Sequence, residues 1–223
     1  MRRLRARVMI LLQCSSAACA DGKLKATEKT LVLLPGGSTG YFFARVENVG
    51  DAPIGTDSGD LVIFSEDDEI LLSDSYVTTT PTAAILAPGE WLYVREYLWD
   101  NALKDAAAGD FKFSIAGQKR TSGQLTKIPC EAVLAMEGAG SYDNHVHVTF
   151  TNVTGSMLDD FSVAAAAYDA QGTLLFVETT YYSSLAIHPG SAATVTLAVD
   201  SDLVKYYAAV TPVRVEAYVC ITD

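Results

Sequence analysis

The chain has little of what marks an enzyme, a membrane span or a nucleic-acid binder. Past its first twenty residues it has no run of about eighteen apolar residues, so no transmembrane helix is expected. The longest apolar stretch, around Phe161 to Tyr168, is only strand-sized. It has no Gly-x-Ser-x-Gly elbow, no phosphate-cradling glycine loop and no His-Glu-x-x-His motif. Nucleophilic catalysis by Ser or Cys needs a positioned imidazole, and the only histidines, His145, His147 and His188, all fall in the second half. Any two carboxylates can meet in space, so acidic pairs are uninformative in a chain with 27 acids. No catalytic role and no cofactor are expected. Basic residues are scarce too: 16 against 27 acidic ones, for a formal charge of −11. Such a surface repels polyanions and so excludes nucleic acid as a partner.

What is present begins with an export signal over residues 1–20. Arg2, Arg3, Arg5 and Arg7 precede a short apolar core, Val8 to Leu12, and Ala18-Cys19-Ala20 is a small-residue cleavage pattern. Two processing routes remain open. Cleavage after Ala20 frees a soluble chain starting at Asp21. Alternatively, Ser16-Ala17-Ala18-Cys19 resembles a lipobox, with a lipid tether on Cys19. The expected location is therefore extracellular or envelope-attached, with the membrane reached only through that lipid. Loss of the four leader arginines takes the charge from −11 to about −15, which favours solubility.

Beyond residue 20 the sequence repeats itself. Ala44–Gly50 matches Val148–Thr154 at an offset of 104, as Ile63–Leu71 matches Ala167–Leu175. Leu86-Ala87-Pro88-Gly89 meets Ile187-His188-Pro189-Gly190 at an offset of 101, as one hairpin of unequal length would produce. Hydrophobic residues make up 49% of the chain, enough to give each copy a core. Short alternating runs rich in Val, Thr, Tyr and Phe predict strands near 29–34, 41–48, 60–65, 69–77, 91–98 and 111–116. The second copy predicts 131–137, 145–151, 161–168, 173–181, 193–199 and 212–221. Short helices capped by Asp100 and Asp200 are expected between the late strands. The fold class is mainly β: two tandem immunoglobulin-like β-sandwich domains, over 24–117 and 125–223. The polar segment 118–124 links them, and its shortness predicts an end-to-end arrangement with limited freedom.

The second copy carries the order aliphatic-x-Phe-x-Asn-Val-Thr-Gly (Val148 to Gly155), then Tyr168-Asp169-Ala170-Gln171-Gly172, then Ile187-His188-Pro189-Gly190. This order resembles the FxLYD-type module, an immunoglobulin-like domain of exported bacterial lipoproteins, over residues 145–219. The first copy departs from it: Phe64-Ser65 replaces Tyr-Asp, and Glu66-Asp67-Asp68-Glu69 replaces the glycine-bearing turn. The resemblance implies a fold and an exported setting, and supplies no catalytic residues.

Four groups of side chains could carry chemistry. Cys130 and Cys220 bracket the second copy, and in an exported chain such a pair reads as a disulfide, contributing up to ~4–5 kcal/mol on the chain-entropy account. His145 and His147 point to one strand face and could share a Cu or Zn ion with Asp143 or His188, although an ordinary half-buried strand explains the pattern equally. The acidic tip Glu66–Glu69 lacks the spacing of a Ca²⁺ loop and reads as a solvated hairpin. Trp91, Tyr93, Tyr97 and Trp99 share one strand face with Arg95, while Leu92, Val94 and Leu98 take the other as core. The aromatic row is expected outside, able to stack on sugars or anchor a protein. The alternative is that its tryptophans fold back over the sandwich. The reading that results is a non-enzymatic scaffold binding an unknown protein or glycan at the cell surface. Its rivals are a metal-handling protein using His145 and His147, and a structural spacer.

Overall fold

The structure, a computed structural model, describes residues 21–104, 108–137, 144–208 and 210–223. Residues 1–20, read above as an export signal and including Cys19, lie outside the described residues, as does Asp143. The chain is mainly β, as expected. The first half contains β1 (Leu24–Leu33), β2 (Thr39–Asn48), β3 (Ile54–Ser65), β4 (Ile70–Val77), β5 (Thr79–Thr80), β6 (Ile85–Leu86), β7 (Trp91–Trp99) and β8 (Ala108–Gln118). The second contains β9 (Leu125–Ile128), β10 (Cys130–Ala135), β11 (His145–Thr151), β12 (Phe161–Tyr168), β13 (Leu174–Tyr182), β14 (Ala192–Ala198) and β15 (Arg214–Thr222). A 3₁₀ turn, Asn101–Leu103, and helix α1, Ser201–Tyr206, sit at the two predicted helical positions. Asp100 and Asp200 accept from the Ala102 and Asp202 amides at their N-termini. Each predicted strand is found; β5, β6 and β9 are short pieces that periodicity cannot register.

Four antiparallel sheets result. In the first half β1-β2-β7-β5 faces a sheet in which β3 is flanked by β4 and β8, with β6 paired at its start. In the second half β10-β11-β14 faces β13-β12-β15-β9. No ladder between these strands joins one half to the other. The connectivity is repeated, β1-β2-β7 corresponding to β10-β11-β14 and β4-β3-β8 to β13-β12-β15. Register repeats with it. Arg45 pairs with Tyr93 as Thr149 pairs with Thr194, and Leu61 pairs with Asp74 as Ala165 pairs with Glu178. Even the irregularity between Ile63 and Phe64 recurs between Ala167 and Tyr168.

One buried asparagine fixes each copy. Asn48 Nδ2 donates to the Ala52 carbonyl at 2.8 Å and the Leu86 carbonyl at 2.9 Å, while its Oδ1 accepts from the Gly50 amide at 3.0 Å. Asn152 Nδ2 donates to Ser156 at 2.7 Å and Ile187 at 2.8 Å, and Oδ1 accepts from Thr154 at 3.0 Å. Each asparagine carbonyl also accepts from the glycine of its Pro-Gly turn, Gly89 or Gly190. Those glycines sit at φ +79° and +77°, a backbone region other residues enter at a cost. The amide thus satisfies a strand end and a turn that would otherwise bury unpaired carbonyls.

The halves do not stand end to end. The β1-β2-β7-β5 sheet lays its outer face on the outer face of β13-β12-β15-β9, and one continuous set of buried residues runs through both halves. Hence β12 is buried at every position, Phe161–Tyr168, where a half-buried strand would alternate. Its Ala164 to Ala167 are small enough to let sheets approach from both sides. The segment 118–124 is pinned rather than loose. Arg120 Nε donates to the Thr56 carbonyl at 3.1 Å, Gly123 N donates to the Asp223 carbonyl at 2.6 Å, and Ile85 N donates to the Gly123 carbonyl at 2.7 Å.

Candidate functional site

The contact between the halves is polar and aromatic, and it absorbs much of the chemistry expected at the surface. Strand pairing sets Arg45 and Tyr93 side by side on β2 and β7, facing Tyr168, Glu216 and Tyr218 of the second half. The Tyr93 and Tyr168 hydroxyls lie 2.8 Å apart. Tyr93 also donates to Glu216 at 3.2 Å, and Tyr168 donates to Glu28 at 2.8 Å. Arg45 stands between the two carboxylates, 3.7 Å from Glu28 and 3.5 Å from Glu216. Burial, then the neighbouring Tyr168 hydroxyl, pushes the Tyr93 phenol far above its ordinary value, so it stays a neutral donor. The Tyr218 hydroxyl accepts from the Tyr93 amide at 3.1 Å and donates to the Thr80 carbonyl, tying the two sheets at a third point.

Cations are held by rings. The Lys127 ammonium lies 3.8 Å from the Trp91 ring centroid and 4.8 Å from that of Tyr218, and donates to the Trp91 carbonyl at 2.5 Å. Burial pulls its pKa down to about 8. The Arg45 guanidinium lies 4.3 Å from the same Trp91 ring centroid. Further along, Arg95 Nε is 2.9 Å from Glu178 Oε2. That N–H is not aligned on the oxygen, so charge rather than a well-formed hydrogen bond holds the pair. Burial raises the Glu178 carboxyl to about 7 against the lowering effect of Arg95. Tyr41 completes this end, donating to Asp200 at 2.6 Å.

The expected aromatic row is therefore divided. Leu92, Val94 and Leu98 are core, as read. Trp91 and Tyr93 are not on a free surface: they are packed against Tyr218 and Lys127 of the second half. Tyr97 and Trp99 remain 50% and 70% exposed, bordering a cavity of about 320 Å³ with Asp74 and Asp100. The positions matching Trp91, Tyr93 and Tyr97 in the second copy, Ala192, Thr194 and Ala198, are small and face solvent.

Cys130 and Cys220 are free thiols rather than the expected disulfide. Cys220 shares a face with Ser162 and Tyr181, its neighbours across β12 and β13, and opens on the junction side. Cys130 approaches the backbone amide of Val219 and lines a different cavity with Thr149 to Thr151. A shift of one residue on β15 decides this, because successive side chains take opposite faces. Burial raises both thiols, Cys220 to about 12.

His145 and His147 stack at 5.9 Å on the exposed face of the β10-β11-β14 sheet, and His147 Nδ1 pairs with Thr196 Oγ1 at 3.1 Å. No group of three or more His, Cys, Asp or Glu able to hold a metal occurs among the described residues. Glu66 to Glu69 form a solvated hairpin closed by Ser65, whose Oγ accepts from the Asp67 and Glu69 amides. Sequence reasoning missed Arg45, Lys127, Glu178, Tyr168 and Tyr218. The available signal was the run Val163 to Tyr168 of β12, apolar on both faces, which asks for cover on each.

No protein-family model matches the chain, and no curated protein matches it. Among solved structures, red sea bream transglutaminase aligns at 11% identity and a TM-score of 0.25, covering 89% of this chain and 30% of that one. The C-terminal globular domain of an oligosaccharyltransferase from Pyrococcus abyssi aligns at 9% identity and a TM-score of 0.23, covering 90% and 47%. The chain thus spans less than half the length of either. No helix among the described residues is long and apolar enough to cross a membrane.

Proposed function

We propose that this chain is a non-enzymatic, exported cell-envelope scaffold that presents a surface to a protein or glycan partner. Its two halves are tandem immunoglobulin-like β-sandwich modules of the FxLYD type. The matched bonds of Asn48 and Asn152 and the repeated strand order support that division. One observation carries the binding role: β7 buries Trp91 and Tyr93 in the junction and leaves Tyr97 and Trp99 exposed beyond it. An aromatic pair on a strand immobilised at its other end is a preorganised contact surface, which lowers the entropy cost of binding. The labelled chain, applied to a glycan array and to intact bacterial cells, is expected to bind one of them and to lose that binding in the Tyr97→Ala, Trp99→Ala double variant. Retained binding in that variant overturns the assignment of the surface. Mass spectrometry of the mature N-terminus distinguishes a lipid on Cys19 from a free Asp21. A metal-handling role is the second reading, supported by the stacked rings of His145 and His147, and calorimetric titration with Zn²⁺ or Cu²⁺ tests it.

A further inference from the structure

The junction does more than hold the halves together: where its two sheets diverge it leaves a cleft of about 550 Å³, within the size range of small-molecule sites. The floor is a row of three side chains across three strands, Tyr181 on β13, Ser162 on β12 and Cys220 on β15, directly opposite one another in register. The wall comes from the first half, the threonine-rich segment 78–82, held in place by the Tyr218 hydroxyl on the Thr80 carbonyl.

The chemistry of the lining is unusually uniform. Hydroxyl side chains dominate it, Asp160 is its single carboxylate, and it contains no Lys, Arg or His. Ser162 is 95% buried as a residue and lines the cleft, where its hydroxyl is not among the enclosed polar atoms left without a partner. At the rim the Tyr181 ring is 58% exposed, and the Asp160 carboxylate lines the same cleft.

From this geometry we propose that the junction cleft binds a neutral saccharide. An exposed ring at the rim offers a flat apolar face for the C–H side of a pyranose. Hydroxyls that both donate and accept suit a ligand whose own groups do the same, and a carboxylate accepts from a vicinal sugar hydroxyl. Anionic ligands find no cation there and meet a negatively charged chain. This site lies apart from Tyr97 and Trp99 and does not depend on their role.

The test is calorimetry and saturation-transfer NMR on the chain with a panel of probes: glucose, galactose, mannose, N-acetylglucosamine and their β-linked disaccharides. At least one is expected to bind with a Kd of about 1 mM or tighter, and Tyr181→Ala should weaken it by about tenfold. Asp160→Asn should weaken it less, and Trp99→Ala should leave it unchanged. Tyr181 is largely exposed, so its truncation is expected to keep the melting temperature, which is measured alongside. The proposal is overturned if no probe binds at tens of millimolar, or if binding survives Tyr181→Ala. Binding that is lost only with Trp99→Ala places the sugar on the β7 patch and overturns the cleft while sparing the scaffold reading.

Discussion

Arg95 and Glu178 lie 2.9 Å apart across the junction, one on β7 of the first half and one on β13 of the second. Glu178 is nearly fully buried, and its second oxygen accepts from the Asp200 amide at 3.2 Å. The equivalent position in the first copy, Asp74, forms no ion pair with an arginine among the described residues. Burial dominates the carboxyl and raises it from 4.5 to about 7, so the folded chain holds this proton more tightly than the unfolded chain does.

Stability should therefore fall as pH rises from about 4.5 to about 7, because in that window the folded state binds more protons than the unfolded state. Below the window both states are protonated, and above it both are ionised. The span is on the order of 3 kcal/mol or less. Urea unfolding across this range should show the decline, and Glu178→Gln should flatten it. Lys127, lowered from 10.5 to about 8, acts with opposite sign and only in the alkaline window between those values.

Tyr93→Phe removes one hydroxyl from the chain of bonds joining Tyr168 and Glu216. The expected loss is about 1–2 kcal/mol, the cost of leaving buried polar groups with one partner fewer. Tyr97→Phe, on the same strand but half exposed, should change stability by less than about 0.5 kcal/mol. Equal losses in thermal denaturation would mean that the junction hydroxyls contribute nothing.

Asn48→Asp and Asn152→Asp each replace a two-donor amide with oxygen aimed at two carbonyls. Each should cost about 3 kcal/mol or more, and the two should agree to within about 1 kcal/mol. A large disparity between them would deny that these asparagines do the same job in the two copies.

Most of this architecture is legible in the sequence, and the exceptions share one cause. Period-two alternation located each longer strand, and Leu92, Val94 and Leu98 were correctly assigned to the core. The offset matches put Asn48 on Asn152 before any geometry was available. What period two cannot say is which outer face meets another sheet. Trp91 and Tyr93 read as surface for that reason, although Val163 to Tyr168, apolar on both faces, carried the complementary hint. The cysteines failed on parity: spacing along the chain places Cys130 and Cys220 at the module's ends, whereas a bridge depends on which side of β15 each one reaches. The cleft was invisible because Thr80 and Tyr181 come from strands a hundred residues apart.

The thiols offer a direct chemical check. Alkylation of the unfolded chain without reductant should modify Cys130 and Cys220 in separate peptides, and in the folded chain Cys220 should react more slowly because it is buried and its thiol is raised to about 12. A linked peptide that separates only after reduction would restore the disulfide.

The bonds from Arg120, Gly123 and Asp223 fasten segment 118–124, the connection between the halves, on both of its sides. With that connection tied and the sheets packed face to face, the angle between the halves is expected to stay constant, so that a partner touching both would meet one spacing. Small-angle scattering should give the same profile before and after a small ligand binds, and affinity should reside in the shape the chain already has.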